Sequence, residues 1–401
     1  MKDDNLFKRY KDIIILGFIA ILIGVIVGAF DTLFGKVLLY VTSIREVYAM
    51  WLIPFLSIVG LVIVFMYDRY GKNSIKGMSL VFEAGHGEAD EIPIRLIPLV
   101  TVSTWLTHLF GGSAGREGVA IQIGATVAHG VGQGVNIDNE NSTKILLVAG
   151  MAAGFSGLFQ TPIAAVFFAI EVLTVGVLEH NALFPTLIAS FAASFISHIL
   201  GLEKFSVNLV DEITFDWMIA IKIVILGIAF GIIGGLFADA LQLVKNIFKK
   251  LFKSPGSKIF IVGVIISVFS LILHMGRYSG LGTNLISECF YGEIYSYDFI
   301  MKTLFTVVTI AAGFQGGEVT PLFSIGASAG VLMASLIGLP VPLVAALGYA
   351  SVFGSATNTL IAPMFIGAEV FGFEYMPYFF VTCMLAYIFN GNKSIYPLQK
   401  K

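Results

Sequence analysis

The chain has 401 residues, 57% of them hydrophobic and 12% charged, with a mean hydropathy of +0.89 and a formal net charge of −2. Such a composition lies outside the range of water-soluble domains, and so small a net charge excludes a nucleic-acid partner held by bulk electrostatics. Cys289 and Cys383 form no metal-ligand or disulfide pattern and say little about redox compartment.

The first apolar run, 13–40, follows a basic segment (Lys8, Arg9, Lys11). It is too long for a signal-peptide core and shows no cleavage site, so it reads as a retained span. Further along, spans are predicted at 50–67, 93–110, 117–131, 144–157, 160–177, 183–201, 217–251, 258–275, 299–313, 320–337, 341–355, 359–373 and 376–390, the first being 12–42. The fold class is therefore an all-α polytopic membrane protein. Several runs are short or broken, among them 96–109, 119–131 and 322–337, and 43 glycines against 12 prolines suit close helix packing and interrupted helices. Broken helices in lipid must line a protein interior or an aqueous path, because their freed backbone groups need partners. Lys and Arg gather in the N-terminal tail, at Arg69/Lys72/Lys76, along Lys245–Lys258 and at the C-terminus; acids gather at 211–216 and 288–298. The excess of cations on cytoplasmic loops then puts both termini in the cytoplasm. Tyr67, Tyr70 and Trp217, near span ends, suit an interfacial aromatic belt.

The second half echoes the first. At an offset of 198 residues, Gly150, Ala152, Phe155, Thr161, Ile163, Ala164, Phe167, Glu171 and Val172 match Gly348, Ala350, Phe353, Thr359, Ile361, Ala362, Phe365, Glu369 and Val370 without a gap. Upstream, at an offset of 202, Gly115, Ile123, Gly124 and Ala125 match Gly317, Ile325, Gly326 and Ala327. Repeats with broken helices at corresponding positions are a transporter plan, with the site where the repeats meet near the midplane. Identity alone does not give their relative orientation.

Two glycine-framed glutamates stand at such breaks, in Gly115-Arg116-Glu117-Gly118-Val119-Ala120 and Gly316-Gly317-Glu318-Val319-Thr320-Pro321. A carboxylate at membrane depth costs roughly 2.5–3.5 kcal/mol on insertion scales, so it is normally kept for function. Each opens a hydrophobic helix, where free N–H groups and the helix dipole favour negative charge. An acid and an anion would compete for one pocket, the seed of proton-coupled anion transport. The plainer alternatives are a helix-capping acid paired with Arg116 and a structural carboxylate satisfied by nearby N–H groups. The remaining acids and histidines read as structural. Glu171 and Glu369 suit capping or backbone pairing, His86 with Glu83, Glu88, Asp90 and Glu91 reads as a solvated loop, and no metal site is expected. Phe82 and Phe323 read as core packing.

The Gly-Arg-Glu-Gly motif at Glu117 resembles the gating-glutamate motif of the CLC family of chloride channels and anion/proton antiporters, and the resemblance extends over nearly the whole chain. Gln160-Thr161-Pro162-Ile163 through Glu171-Val172 is similar to the helix that follows, Gly316-Gly317 through Pro321 to the second anion-binding helix start, and Tyr396 in Ser394-Ile395-Tyr396-Pro397 to the tyrosine that closes the central site from inside. Departures point to one branch. Met78, in Gly77-Met78-Ser79-Leu80-Val81, stands where chloride-type members carry an anion-contacting serine. Val119 follows the gating motif in place of proline, Glu318-Val319-Thr320 replaces an apolar stretch, and Val172 replaces an inner glutamate. Together these resemble the fluoride-exporting branch, CLC-F.

The resemblance implies a single transmembrane transport domain over 1–401, with two inverted, pseudo-symmetric halves at about 12–201 and 217–396. It implies a homodimer without cytoplasmic regulatory domain or cofactor, in a bacterial-type plasma membrane. The implied activity is fluoride/proton antiport, with chloride/proton antiport or a passive CLC-type channel as alternatives. Glu117 would gate and accept protons and Glu318 would aid their transfer. Met78, Ser79, Gly118, Val119, Val319, Thr320 and Tyr396 would surround the anion. A membrane-embedded hydrolase using the two glutamates lacks a visible nucleophile or metal ligands, so no enzyme activity is expected.

Overall fold

The computed structural model describes residues 2–135, 140–209 and 216–401, with side chains from residue 13 onward except that of Glu140. The acidic stretch 211–216 falls outside the described residues except for Asp216, as do the side chains of Lys8, Arg9 and Lys11. The first half carries α1 (Lys2–Val47), α2 (Ala49–Leu52), α3 (Leu56–Met66), α4 (Met78–Gly85), α5 (Leu96–Leu109), α6 (Glu117–Gly134), α7 (Glu140–Phe159), α8 (Pro162–Glu171) and α9 (Leu183–Ile199). The second carries α10 (Trp217–Leu251), α11 (Pro255–Ile272), α12 (Thr283–Tyr291), α13 (Asp298–Ala312), α14 (Val319–Ile337), α15 (Val341–Thr357), α16 (Ile361–Phe371) and α17 (Met376–Ile388). Seven helical stretches among the described residues, including Ile13–Val47, Trp217–Leu251 and Val319–Ile337, are long and apolar enough to cross a membrane. The chain is a multi-pass helical membrane protein.

Local chemistry explains the starts and stops. Asp216 caps α10 by accepting from the Ile219 N–H at 2.7 Å, and Lys249 and Lys250 in its last turn meet the negative end of the dipole. Ser254 caps α11 through the Ser257 N–H, with Pro255 at the first helical position, where its missing donor costs nothing.

The predicted spans are present, with three differences. The span expected at 160–177 stops at Glu171, beyond which 172–179 leaves the helix. The short helices α4 and α12 lie in stretches that hydropathy leaves as loops. Tyr67 is buried at 6% exposure within an apolar cluster with Leu56, Ile63 and Phe305, so it belongs to the core, whereas Tyr70 and Trp217 are exposed.

The two halves repeat one packing scheme. In the first, α6 and α7 pack together and α7 lies against α1 and α9; in the second, α14 and α15 pair and α15 lies against α10 and α17. The tightest crossings fall on repeat-related glycines. A β-carbon on Gly124 would collide with the Gly150 carbonyl, and one on Gly326 with the Gly348 carbonyl. Only hydrogen at those positions lets the backbones touch.

A second pair of related residues gives the orientation. Glu171, closing α8, accepts from the N–H groups of Leu360, Ile361 and Ala362 at 3.2, 3.0 and 2.8 Å, at the start of α16. Glu369, near the end of α16, accepts from Ile163 and Ala164 at 3.2 and 2.8 Å, at the start of α8. Each helix ends on the acid that caps the other, so the two run antiparallel. The halves are inverted repeats. Both glutamates are thus the backbone-pairing acids that their sequence context suggests.

Candidate anion site

The site forms where two irregular loops, 111–116 and 313–318, meet head-on. The Gly115 N–H donates to the Gly317 carbonyl at 2.5 Å, and the Gly317 N–H returns to Gly115 at 2.8 Å. Glycine is required here. A β-carbon on Gly115 would lie 2.9 Å from the Gly317 oxygen, and Gly316 adopts φ +150°. This two-bond clasp sets the N-termini of α6 and α14 facing each other, and their dipoles converge. The first loop is anchored from α13 as well. Lys302 donates to the Ser113 hydroxyl at 2.9 Å, that hydroxyl lies 2.9 Å from Thr306 Oγ1, and the Ser113 N–H donates to Thr309 Oγ1 at 3.2 Å. Lys302 also donates to the carbonyls of Tyr278 and Gly280, so its buried ammonium is held by three oxygens.

Glu117 is the first residue of α6 and fully buried. Its carboxylate reaches across the clasp to α14. It accepts from the Thr320 N–H at 3.0 Å and from the Thr320 hydroxyl at 2.6 Å, while the Arg116 N–H approaches at 3.3 Å. Arg116 Nε stands 3.7 Å from the other oxygen, an ion pair without a close hydrogen bond. The acid thus takes up the donors that a helix N-terminus would offer an anion.

A cavity of about 210 Å³ lies beside this contact. It brings together Met78, Ser79, Gly118, Glu318 and Tyr396, all singled out in the sequence. Gly77, at φ +53°, turns the chain into α4 so that Met78 begins that helix facing the cavity. Tyr396 packs its ring 5.2 Å from Phe82, and its buried hydroxyl has no hydrogen-bond partner among the described residues. The negative charges of Glu318 and Glu117 both act on this phenol. Glu318 stands at the N-cap position of α14 without a side-chain capping bond, lining the cavity together with Lys245 of α10.

Other expectations are met differently. Val119 and Val319 are fully buried in the first turns of their helices, and the Val119 N–H turns back to the Arg116 carbonyl at 3.1 Å. Phe323, by contrast, packs in the core as its sequence context suggests, stacking on Tyr349 at 4.1 Å. Around the predicted solvated loop, Glu83 pairs with Lys76, Glu88 with Lys400, and His86 Nε2 meets the Leu173 carbonyl at 3.1 Å. No group of three or more metal-ligating side chains occurs among the described residues.

Sequence reasoning missed three contributors. Gln122, one turn into α6, donates to the Gly118 carbonyl at 3.1 Å and lines the cavity, its Oε1 having no hydrogen-bond partner among the described residues. Its position four residues after Gly118 was the available signal. Lys245 looked like one of several cytoplasmic-side cations, and Tyr349, whose hydroxyl senses both Arg116 and Glu117, looked like an ordinary core aromatic.

Inverted repeats whose broken helices aim their N-termini at buried carboxyl groups define a class of membrane protein that handles small ions. A family model described as voltage gated chloride channel matches residues 59–391, and the chain belongs to that family, the CLC proteins. Among its relatives, a chloride/fluoride channel protein of Pseudomonas syringae pv. tomato is 32% identical over 98% of this chain and 89% of its own length. A solved structure of a CLC-type fluoride/proton antiporter is 53% identical, covers 96% of this chain and 97% of its own, and superposes with a TM-score of 0.94. A slow cyanobacterial Cl−/H+ antiporter shares the fold at a TM-score of 0.85, with 21% identity over 95% of this chain and 96% of its own.

Proposed function

We propose that this protein exchanges fluoride for protons and exports fluoride from the cytoplasm of a bacterial-type cell. The observation that carries the reading is the Glu117 carboxylate seated on the Thr320 N–H and hydroxyl, an acid in the place of an anion. The 53% identity to a fluoride/proton antiporter, together with Met78 and the Glu318-Val319-Thr320 sequence, favours fluoride as the halide.

In this mechanism the ionised Glu117 fills the donor site at α14. Protonation removes its charge, the side chain leaves, and an anion takes the Thr320 donors. Deprotonation returns the carboxylate and expels the anion. Fluoride is small, hard and strongly hydrated, so close N–H and O–H donors must replace its lost water. Thr320 and the unpartnered Tyr396 hydroxyl are such donors. Glu318, on the cavity side, supplies the internal proton carrier that Val172 cannot be. Since a weak acid enters cells as neutral HF and dissociates inside, an inward proton gradient can drive the anion out.

The transport unit is a single domain working as a homodimer, one ion path per subunit, with both termini cytoplasmic. The test is fluoride and proton flux measured in parallel in liposomes of purified protein. The native chain is expected to move protons against fluoride, and Glu117→Gln to abolish the coupling. Fluoride flux without proton movement in the native chain would end the reading.

A further inference from the structure

The inward face of α10 runs Ala238, Leu241, Lys245 and Phe248, at the alternating three- and four-residue spacing of one helical stripe. Ala238 and Leu241 are buried in the main core and Phe248 packs against a second apolar cluster, so Lys245 holds a core register with a charged side chain. Lysine is rarely enclosed without a partner. Lys245 is half-buried and makes no ion pair or side-chain hydrogen bond among the described residues, whereas Lys249, Lys250 and Lys253 of the same basic stretch are exposed. It lines the anion cavity, where the other charged residues are Lys76 and Glu318. Lys76 is taken by Glu83 at 2.6 Å, which leaves Lys245 as the cation of that cavity without an acid bound to it among the described residues. A second ammonium backs it. Lys258 Nζ of α11, also without an ion pair among the described residues, would stand 3.8 Å from a β-carbon on Gly313, in the loop that leads to Glu318 and lines the same cavity.

We propose that Lys245 captures the anion at the cytoplasmic mouth of the transport path, ahead of the donors at Thr320, and so sets the fluoride concentration at which transport half-saturates. A cleft with low-dielectric walls focuses the field of a charge that lines it and raises the local concentration of the opposite ion. The cavity needs such a charge, because an ionised Glu318 meets an entering halide with its own sign, and Lys245 offsets it. The residue type fits the place. A four-carbon apolar stem is tolerated in a core register while the ammonium reaches the cavity. An ammonium is a compact, strongly hydrated point charge, so it attracts fluoride with its water still on and leaves dehydration to the N–H and O–H donors further in. Capture and desolvation then fall to different residues of one path, Lys245 to the first and Thr320 to the second.

The proposal takes its cargo from the fluoride reading above, and the experiment separates the two. Native protein, Lys245→Met and Lys245→Arg are reconstituted into liposomes. Initial fluoride efflux and proton movement are recorded over a series of internal fluoride concentrations, at low and at high ionic strength set with an organic-anion salt. A native chain that moves no fluoride ends both ideas. One that moves fluoride without protons ends the antiport reading alone, and the variants still decide the role of Lys245. At low ionic strength Lys245→Met is expected to raise the half-saturating fluoride concentration about threefold or more, with a much smaller change in the rate at saturation. High salt should raise the native value and shrink that difference, because it screens a through-space attraction. Lys245→Arg keeps the charge and should restore the native half-saturation. A native half-saturation in Lys245→Met would overturn the proposal. So would equal losses in both variants, or a loss confined to the rate at saturation, either of which assigns the side chain to packing. Should Lys245→Met fail to fold, the native salt dependence decides: a half-saturation that rises with ionic strength supports capture, and a constant one rejects it.

Discussion

The Thr320 hydroxyl lies 2.6 Å from the Glu117 carboxylate, a contact between residues 203 positions apart that ties α6 of one repeat to α14, its counterpart in the other. Hydrogen bonds to charged groups contribute about 1.5–3 kcal/mol. Thr320→Val keeps the shape and the backbone donor but removes that hydroxyl. The acid is then held less firmly, and fluoride is expected to slip through without its proton. The ratio of fluoride to protons moved should rise above the native value. An unchanged ratio would remove the hydroxyl from the coupling step.

Met78 lines the cavity at the start of α4 with a thioether that donates no hydrogen bond. Its bulk, set by the turn at Gly77, narrows the space beside Gly118. Met78→Ser shortens the side chain and adds a donor, which should relax discrimination against the larger chloride. Parallel fluoride and chloride efflux from liposomes reads this directly, and equal selectivity in variant and native protein would exclude Met78 as a determinant.

His86 links the end of α4 to the segment after α8 through the Leu173 carbonyl. Burial, first of all, pushes its imidazole below the ordinary value of 6.5, against the opposing pull of that carbonyl. The unfolded chain therefore takes up this proton more readily than the folded one. The stabilising contribution is present above pH 6.5 and is lost as pH falls toward the lower folded value. His86→Gln should melt with less acid sensitivity than the native protein in that window. Identical melting curves across it would show that His86 does not report this linkage.

How much of this was readable beforehand depends on the range of each interaction. Spans such as Trp217–Leu251 announce themselves because hydropathy is a local sum over many residues. Glu117 and Glu318 stood out because glycine-flanked acids are rare in apolar sequence, and Glu171 and Glu369 because the repeat aligned them. The eight residues of α4 and the nine of α12 are too few to produce a periodic signal. Lys245 gains its meaning only in the fold, where α10 brings it to the cavity that Glu318 also lines.

The reciprocal caps of α8 and α16 give the sharpest test of whether a buried membrane acid is structural. Glu171 satisfies three N–H groups and Glu369 two, all at helix starts where negative charge is favoured. Replacing either by Gln leaves an acceptor oxygen but removes the charge and one oxygen, at an expected cost of about 1–3 kcal/mol. The loss should be larger at Glu171, which serves one more donor. The two caps sit at opposite ends of an antiparallel pair in which α8 has 10 residues, and a helix of that length spans about 15 Å. Sites so separated add to within about 0.5 kcal/mol, so the double variant should lose the sum of the single losses. Thermal unfolding in detergent measures the stability loss, and flux ratios in liposomes measure any effect on coupling. A structural pair predicts lower melting temperatures with an intact fluoride-to-proton ratio. Unchanged stability with a broken ratio would instead make these acids part of the proton route.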